Sequence, residues 1–291
     1  MTFYLPKKWA DKKGLKPGDE IELMEKREGL LIQSDTKPEK KEAVIEVKDN
    51  LFRFLRALLI IYYRAGYDRI VIQGKPKQKQ VQEALRLLTG FEITHLEEDK
   101  LVIESMTEIT EDKSETLMKQ IFFILLQDMD LVVDCIKNQK RVPTDQLLLD
   151  SERAITNLNF LHRLISKRHE EFAGFNWTLG NMLVWIAREL YYLNEEIKNV
   201  PIKPLSPNQL TYLEAIRDST HLLYDGVYKK SVDSFASIHK TGLHYEKEKF
   251  KLLLEKDRYR AAVLNAFSTI DRFLMRAVTG AALSVICEKI S

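Results

Sequence analysis

Apolar residues recur at intervals of three and four through most of residues 111–291, which is the spacing of a buried helical face. Short polar or proline-containing segments interrupt the pattern, the clearest being VPIKPLSPN at 200–208. After it, an unbroken apolar stripe from Leu213 to Ile238 predicts one helix, and Gly242 is expected to separate that helix from a last long one. Long helices with short connections pack side by side as an up-and-down bundle, so we expect a bundle of about five or six helices here. The fold class predicted for the chain is therefore mainly α. Helical bundles serve many functions, so this pattern by itself assigns none.

Residues 42–105 alternate between strand and helix signals instead. AVIEV and RIVIQ have the composition of strands, and helices are expected over 50–65 and about 77–89. FEITHL and KLVIES flank the acidic turn EEDK and predict a hairpin. The segment is thus expected to be a small α/β unit with two helices covering a sheet.

The first 33 residues are rich in turns. TFYL has strand character, KKWADKK predicts a short helix after Pro6, and Gly14 suits the left-handed residue that ends a helix. KPGD predicts a turn, and EIELMEK followed by LLI predicts a second hairpin. The polar segment SDTKPEKK then indicates a linker. The predicted domains are residues 1–36, 42–108 and 111–291.

Positive charge is concentrated at the start of the chain, although the whole protein is nearly neutral. There are 45 Lys and Arg against 43 Asp and Glu, a formal net charge of +2. The first sixteen residues carry one acid, Asp11, against the lysines Lys7, Lys8, Lys12, Lys13 and Lys16. Such a patch, doubled in a dimer, is suited to salt-dependent contact with DNA phosphates. Lys7, Lys8, Lys12 and Lys13 are the predicted DNA-binding residues. A solvated lysine surface is the alternative.

The stretch LPKKWADKKGLKPGDEIEL (5–23) resembles the AbrB/SpoVT-type swapped-hairpin DNA-binding domain. In that family two chains interleave their hairpins into one small barrel, and basic residues near the short helix contact DNA. The resemblance implies a homodimer. The family normally has a full strand before the Leu5-Pro6 position, whereas this chain starts four residues before Leu5. A domain kept mainly for dimerisation is therefore an open alternative.

The following segments resemble archaeal PhoU-like proteins, in which an AbrB-type domain precedes an α/β segment and a helical bundle. The similar stretches are IIYYRAGYDRIVIQG, LRLLTGFEITHLEEDKLVIES and SERAITNLNFLHRLISK. The resemblance implies a regulator of phosphate uptake and transcription, which binds DNA through its N-terminal domain and a transporter or signalling protein through its bundle. A dimeric adaptor that does not bind DNA and a metal-binding PhoU-type protein are the two alternatives.

The metal alternative makes specific demands on the sequence. Paired acids four residues apart occur at Asp130/Asp134 and Glu214/Asp218, but both pairs lie away from the apolar stripes and are expected to be solvated charges. Where the PhoU-like motif would fall, the chain has Asp150 before Ala154 and Arg188 before Tyr192. No metal site is therefore predicted. The histidine pairs His162/His169 and His239/His244 are expected to be surface or helix-capping residues.

No nucleophile–base arrangement and no phosphate-binding loop is evident, so neither enzymatic activity nor a cofactor is expected. The most apolar run, LFRFLRALLIIYY at 51–63, contains Arg53 and Arg56 and is shorter than a membrane span requires. Cys135 and Cys287 belong to no CxxC or Cys/His pair. These features predict a cytoplasmic protein that is not inserted in a membrane.

Overall fold

A computed structural model describes most of the chain, namely residues 4–26, 29–34, 40–47, 54–75, 78–106, 113–168 and 173–290. The chain divides into two compact units, one ending at Lys41 and the other running from Glu42 to Ile290. The α/β segment and the helical bundle both belong to the second unit.

The first unit consists of a short helix and a hairpin. Helix α1 is Lys7–Lys13, and Gly14 ends it at φ 66°, a left-handed conformation that glycine adopts without steric cost. The backbone N–H of Lys16 donates to Asp19 Oδ2 at 2.7 Å and fixes the following turn. Strands β1 (Ile21–Lys26) and β2 (Gly29–Ser34) pair antiparallel. The predicted helix and hairpin are confirmed. Tyr4 and Leu5 are not in a strand, and the rest of TFYL lies outside the described residues.

The α/β segment forms a four-stranded sheet. Its elements are β3 (Glu42–Glu46), α2 (Leu55–Arg64), β4 (Arg69–Gln73), α3 (Gln78–Leu85), β5 (Phe91–Leu96) and β6 (Lys100–Ser105). The strand order is β3-β4-β6-β5, with β3 parallel to β4 and the other pairs antiparallel. One face of the sheet, including Ile45, Ile70 and Ile103, packs against apolar residues of α2 and α3. The predicted strands and the FEITHL/KLVIES hairpin are confirmed. Both predicted helices are present, and α3 ends at Leu85, before the predicted end near residue 89.

Six helices follow in the described part of the second unit: α4 (Ser114–Lys137), α5 (Thr144–Arg168), α6 (Ala173–Ile197), α7 (Pro207–Tyr228), α8 (Val232–Leu253) and α9 (Arg258–Ile290). Helices α4, α6, α9 and α7 pack in this order around a central apolar core. Helix α5 packs against α4 and α6, and α8 packs against α7 and α9. The predicted mainly helical class is confirmed.

The boundary between α7 and α8 differs from the sequence pattern, which suggested one helix from about 210 to Gly242. The break lies at Lys229–Ser231, where Lys230 adopts φ 52° and the Ser231 hydroxyl accepts a hydrogen bond from the Ser234 N–H at 3.2 Å. Gly242 is inside α8, and a Cβ there would come within 2.8 Å of Met275 Sδ on α9. Close packing of two helices therefore accounts for this glycine, which is not a helix stop.

Candidate nucleic-acid interface and sites in the bundle

The predicted DNA-binding lysines all lie on α1. Lys7 and Lys8 are exposed, whereas the side chains of Lys12 and Lys13 lie outside the described residues. Residues four apart share a helical face, so the backbone places Lys8 and Lys12 on the same side of α1. The first turn of α1 contains no acidic residue. The helix therefore carries a local cluster of positive charge.

The hairpin of the first unit leaves an aliphatic face open. Its register places Leu23 opposite Ile32 and Ile21 opposite Ser34, so Ile21, Leu23, Leu30 and Ile32 share one face. Leu23 is 45% exposed and Leu30 is 66% exposed. Among the described side chains of residues 4–34, even Trp9 is only half-buried, and none is fully buried. The unit thus has an apolar surface but no interior of its own within the described residues.

The acidic pairs considered for metal binding lie on the surface of α4 and α7, where they meet basic side chains. Asp130 Oδ1 is 3.0 Å from His221 Nε2, and Glu214 accepts a hydrogen bond from Lys137 Nζ at 2.7 Å. Asp218 pairs with the neighbouring Arg217 at 2.9 Å. Among the residues that the structure describes, no group of three or more His, Cys, Asp or Glu is placed to hold a metal ion.

The two positions that the resemblance assigns to a metal motif have other contacts. Asp150 pairs with Arg153 of the same helix at 3.3 Å, and Ala154 is fully buried. Arg188 lies over the ring of Tyr192, with its carbon Cζ 5.3 Å from the ring centroid, and donates a hydrogen bond to the Tyr192 hydroxyl. Ala154 therefore contributes to helix packing, whereas Asp150, Arg188 and Tyr192 make contacts within their own helices.

His162 is buried, so the expectation of a surface or capping histidine is wrong at this position. Its ring stacks on Trp177 with the centroids 3.5 Å apart, and Nε2 lies 3.4 Å from the Trp177 carbonyl oxygen. Burial, together with the nearby Arg64 charge, lowers the pKa of His162 to about 3. The imidazole is therefore neutral and packs as an aromatic ring. His239 and His244 are exposed, and His169 lies outside the described residues.

Asp128 on α4 is a buried carboxyl group that the sequence patterns did not reveal. It is 1% exposed, and its Oδ2 atom has no hydrogen-bond partner within the described structure. Burial and the charge of Asp150 on α5 raise its pKa to about 7. Helical spacing could have revealed that Asp128 lies on the buried face of α4. It lies three residues after Leu125 and four before Val132, and both of these are buried.

A second buried charge joins the α/β segment to the bundle. Arg163 on α5 is 2% exposed and donates hydrogen bonds to the carbonyl oxygens of Tyr63 (3.1 Å) and Tyr67 (2.5 Å). It also donates to Asp68 Oδ1 at 2.7 Å, and Lys167 Nζ reaches the same oxygen at 2.5 Å. The Asp68 carboxylate thus faces two cations in the connection between α2 and β4, which fixes α5 against this segment.

A surface of exposed aromatic residues lies along α6 beside α9. Trp185 is 48% exposed and Tyr192 is 46% exposed, and the Arg188 guanidinium lies between their rings. Phe273 of α9 lies 6.0 Å from Trp185 between ring centroids, and Arg272 beside it is exposed. Trp, Tyr and Arg are the residue types most enriched in protein–protein hot spots. This surface, called here the α6/α9 aromatic surface, has the chemistry of a partner site.

Comparison of the chain with protein-family models, with curated proteins and with solved structures found no match in any of the three. Within the described residues, every helix is either too short or too polar to cross a lipid bilayer.

Proposed function

We propose that this protein is a homodimeric regulator that binds DNA through its N-terminal unit and a partner protein through its helical bundle. The observation that carries the proposal is that one small unit contains both a lysine-rich helix and a hairpin whose aliphatic face is largely exposed. The resemblance of the sequence to archaeal PhoU-like proteins adds the expectation that phosphate uptake is the regulated process and that the protein acts in the cytoplasm.

The dimer follows from the energetics of the hairpin. A two-stranded hairpin is marginally stable in water, and a larger sheet or a packed face is needed for independent stability. Within the described residues of the first unit there is no third strand, and no side chain is fully buried against the hairpin. A second copy would bring the same four aliphatic side chains and would bury both faces by the hydrophobic effect.

Replacing Leu23 and Leu30 with aspartate is expected to convert the dimer into a monomer, because each charge would have to be buried in the interface without a partner. Light scattering coupled to gel filtration measures the change. The matched control replaces the same residues with methionine, which keeps the surface apolar and should leave the dimer intact. A wild-type protein that is monomeric at micromolar concentration would refute this part of the proposal, as would a dimer that survives both aspartates.

DNA contact predicts a steep dependence of affinity on salt. Binding to genomic DNA fragments should weaken as salt rises, and each lost phosphate contact should reduce the slope of log affinity against log salt by about 0.9. Alanine at Lys7, Lys8, Lys12 and Lys13 is expected to weaken binding at low salt by about tenfold or more. Arginine at the same four positions keeps the charge and should preserve binding.

The dimeric adaptor is the second candidate function, and the α6/α9 aromatic surface is the observation that favours it. The DNA experiment separates the two functions. A folded dimer that binds no DNA fragment at low salt would contradict the DNA-binding proposal and favour the adaptor. Unchanged DNA affinity in the four-alanine variant would show that other residues make the contact.

A further inference from the structure

The α6/α9 aromatic surface extends along the outside of the bundle, and its geometry defines the kind of partner that fits it. Trp185, Arg188 and Tyr192 are three and four residues apart on α6, so they share one face of this helix. Trp185 and Tyr192 are separated by about 10.5 Å along the helix axis, which is two helical turns. Phe273 of α9 lies beside Trp185 and widens the face.

Arg188 is held in place before any partner binds. Its guanidinium carbon Cζ lies 5.6 Å from the ring centroid of Trp185 and 5.3 Å from that of Tyr192. It also donates a hydrogen bond to the Tyr192 hydroxyl. A guanidinium fixed in this way loses little conformational freedom when it binds an acceptor, so its contacts contribute more fully to affinity.

Basic side chains outnumber acidic ones on this surface. Arg272 and Arg276 lie one turn apart on α9, and both are exposed. Glu189 of α6 is half-buried; burial raises its pKa, and the charge of Arg272 opposes this effect. Asp271 precedes Phe273 by two residues, about 160° around the helix, and therefore faces away from the surface. The surface thus keeps two arginines in excess of its carboxylate.

The excess charge and the aromatic rings together indicate the chemistry of the partner. Arg188 and Arg276 contact no carboxylate within the part of the chain that the structure describes. Arginine–carboxylate pairs are strong and directional, and complementary charge selects partners. DNA would require a longer row of cations, because every phosphate carries a charge. Two arginines beside three aromatic rings instead match a protein segment that presents carboxylates next to apolar side chains.

We propose that the α6/α9 aromatic surface binds an acidic amphipathic helix of a partner protein. Apolar side chains of that helix pack on Trp185, Tyr192 and Phe273, and its flanking carboxylates pair with Arg188 and Arg276. Apolar residues seven apart on the partner helix match the spacing of about 10.5 Å between the two rings of α6. The inference rests on the proposed role of the bundle in binding a partner protein, and it is independent of DNA binding and of dimerisation.

Selection from a phage-displayed library of random 16-residue peptides, on the immobilised full-length protein, tests the proposal. We expect the enriched peptides to carry an excess of Asp and Glu around apolar residues spaced three or four apart. Fluorescence anisotropy with these peptides then measures their affinity. Trp185→Ala should weaken binding by about tenfold or more, because it removes a central aromatic contact. Arg188→Glu together with Arg276→Glu should weaken binding at least as much, because attraction becomes repulsion.

Matched controls separate this surface from general adhesion and from net charge. Phe123→Ala removes an aromatic side chain that is exposed to the same extent on α4. Arg56→Glu together with Arg86→Glu makes the same change of charge at exposed positions of the α/β segment. Both controls should bind the enriched peptides as the wild type does, and every variant should keep the wild-type midpoint of thermal unfolding.

The possible results distinguish this inference from the proposed function. Enriched peptides without an excess of acids, or no enrichment at all, would overturn the acidic partner. Peptides that bind the bundle but are insensitive to Trp185→Ala would leave partner binding in place and overturn only this surface. A smaller oligomer for Trp185→Ala in light scattering would assign the surface to a second copy of the chain, and loss of DNA binding in the Arg188/Arg276 variant would assign it to DNA. Either result would overturn the proposal.

Discussion

Replacement of Asp68 with alanine is expected to lower the free energy of unfolding by about 3–5 kcal/mol, because it leaves the Arg163 charge buried without its partner. Burial lowers the pKa of Arg163, and the nearby Tyr63 and Asp68 oppose this effect. Arg163 also lies 4.9 Å from the ring centroids of both Tyr63 and Phe91, so it has little access to water once the carboxylate is lost. Urea denaturation followed by circular dichroism measures the change.

A double-mutant cycle shows whether the effect arises from the charge. Arg163→Met together with Asp68→Ala removes both charges and keeps an unbranched apolar side chain, so it should be clearly more stable than Asp68→Ala alone. Asp68→Asn keeps a hydrogen-bond acceptor and should fall between wild type and the alanine variant. A cost below about 1 kcal/mol for Asp68→Ala would mean that Arg163 finds solvent or another acceptor.

Replacement of Asp128 with asparagine is expected to stabilise the protein at about pH 8 by about 2 kcal/mol. The folded state raises the pKa of this carboxyl from its ordinary value of 3.8 to about 7, so it binds more protons than the unfolded state between these values. Stability must then fall as the pH rises through this interval. The full pKa difference corresponds to about 4 kcal/mol above pH 7, and a buried amide without partners offsets part of the gain.

Urea denaturation at several pH values between about 4 and 8 tests this prediction. The benefit of Asp128→Asn should grow with pH, and the variant should lose the decline in stability that the wild type shows. Asp134→Asn is the matched control, because Asp134 is exposed on the same helix and should change stability by less than about 0.5 kcal/mol. Asp150→Asn should give a smaller gain, since it removes only the neighbouring charge. An Asp128→Asn variant less stable than wild type at about pH 8 would contradict the assignment.

Local sequence was sufficient to predict several elements. The FEITHL and KLVIES strands were predicted correctly because the apolar residues of each segment follow a strand pattern and a short acidic turn joins the two segments. The break between α7 and α8 was missed, since apolar spacing continues through it and outweighed the cap signal of Ser231. Gly242 was interpreted as a helix stop because its contact with Met275 depends on a distant helix.

Among the candidate sites too, some residues were evident from local sequence and others depended on distant parts of the chain. The lysines of α1 were evident because charge density along the chain needs no tertiary information. The environments of Asp128 and Arg163 were not evident from the sequence. The environment of Asp128 depends on burial and on Asp150 of the next helix, and that of Arg163 depends on Asp68, nearly a hundred residues away. His162 was expected to be a surface or helix-capping residue, because a sequence does not show that Trp177 of α6 covers it.

By itself, the sequence determined the mainly helical class, the strands of the α/β segment, the short basic helix and the N-terminal hairpin. Each of these depends on periodicity, turn residues or charge within a few positions, and such interactions are local. Only the tertiary structure decided which polar groups are buried, how α5 is held to the α/β segment, and which aromatic and basic side chains meet where α6 packs beside α9. These features arise where helices distant in sequence meet, and desolvation then sets the protonation of Asp128 and the energetic importance of Arg163.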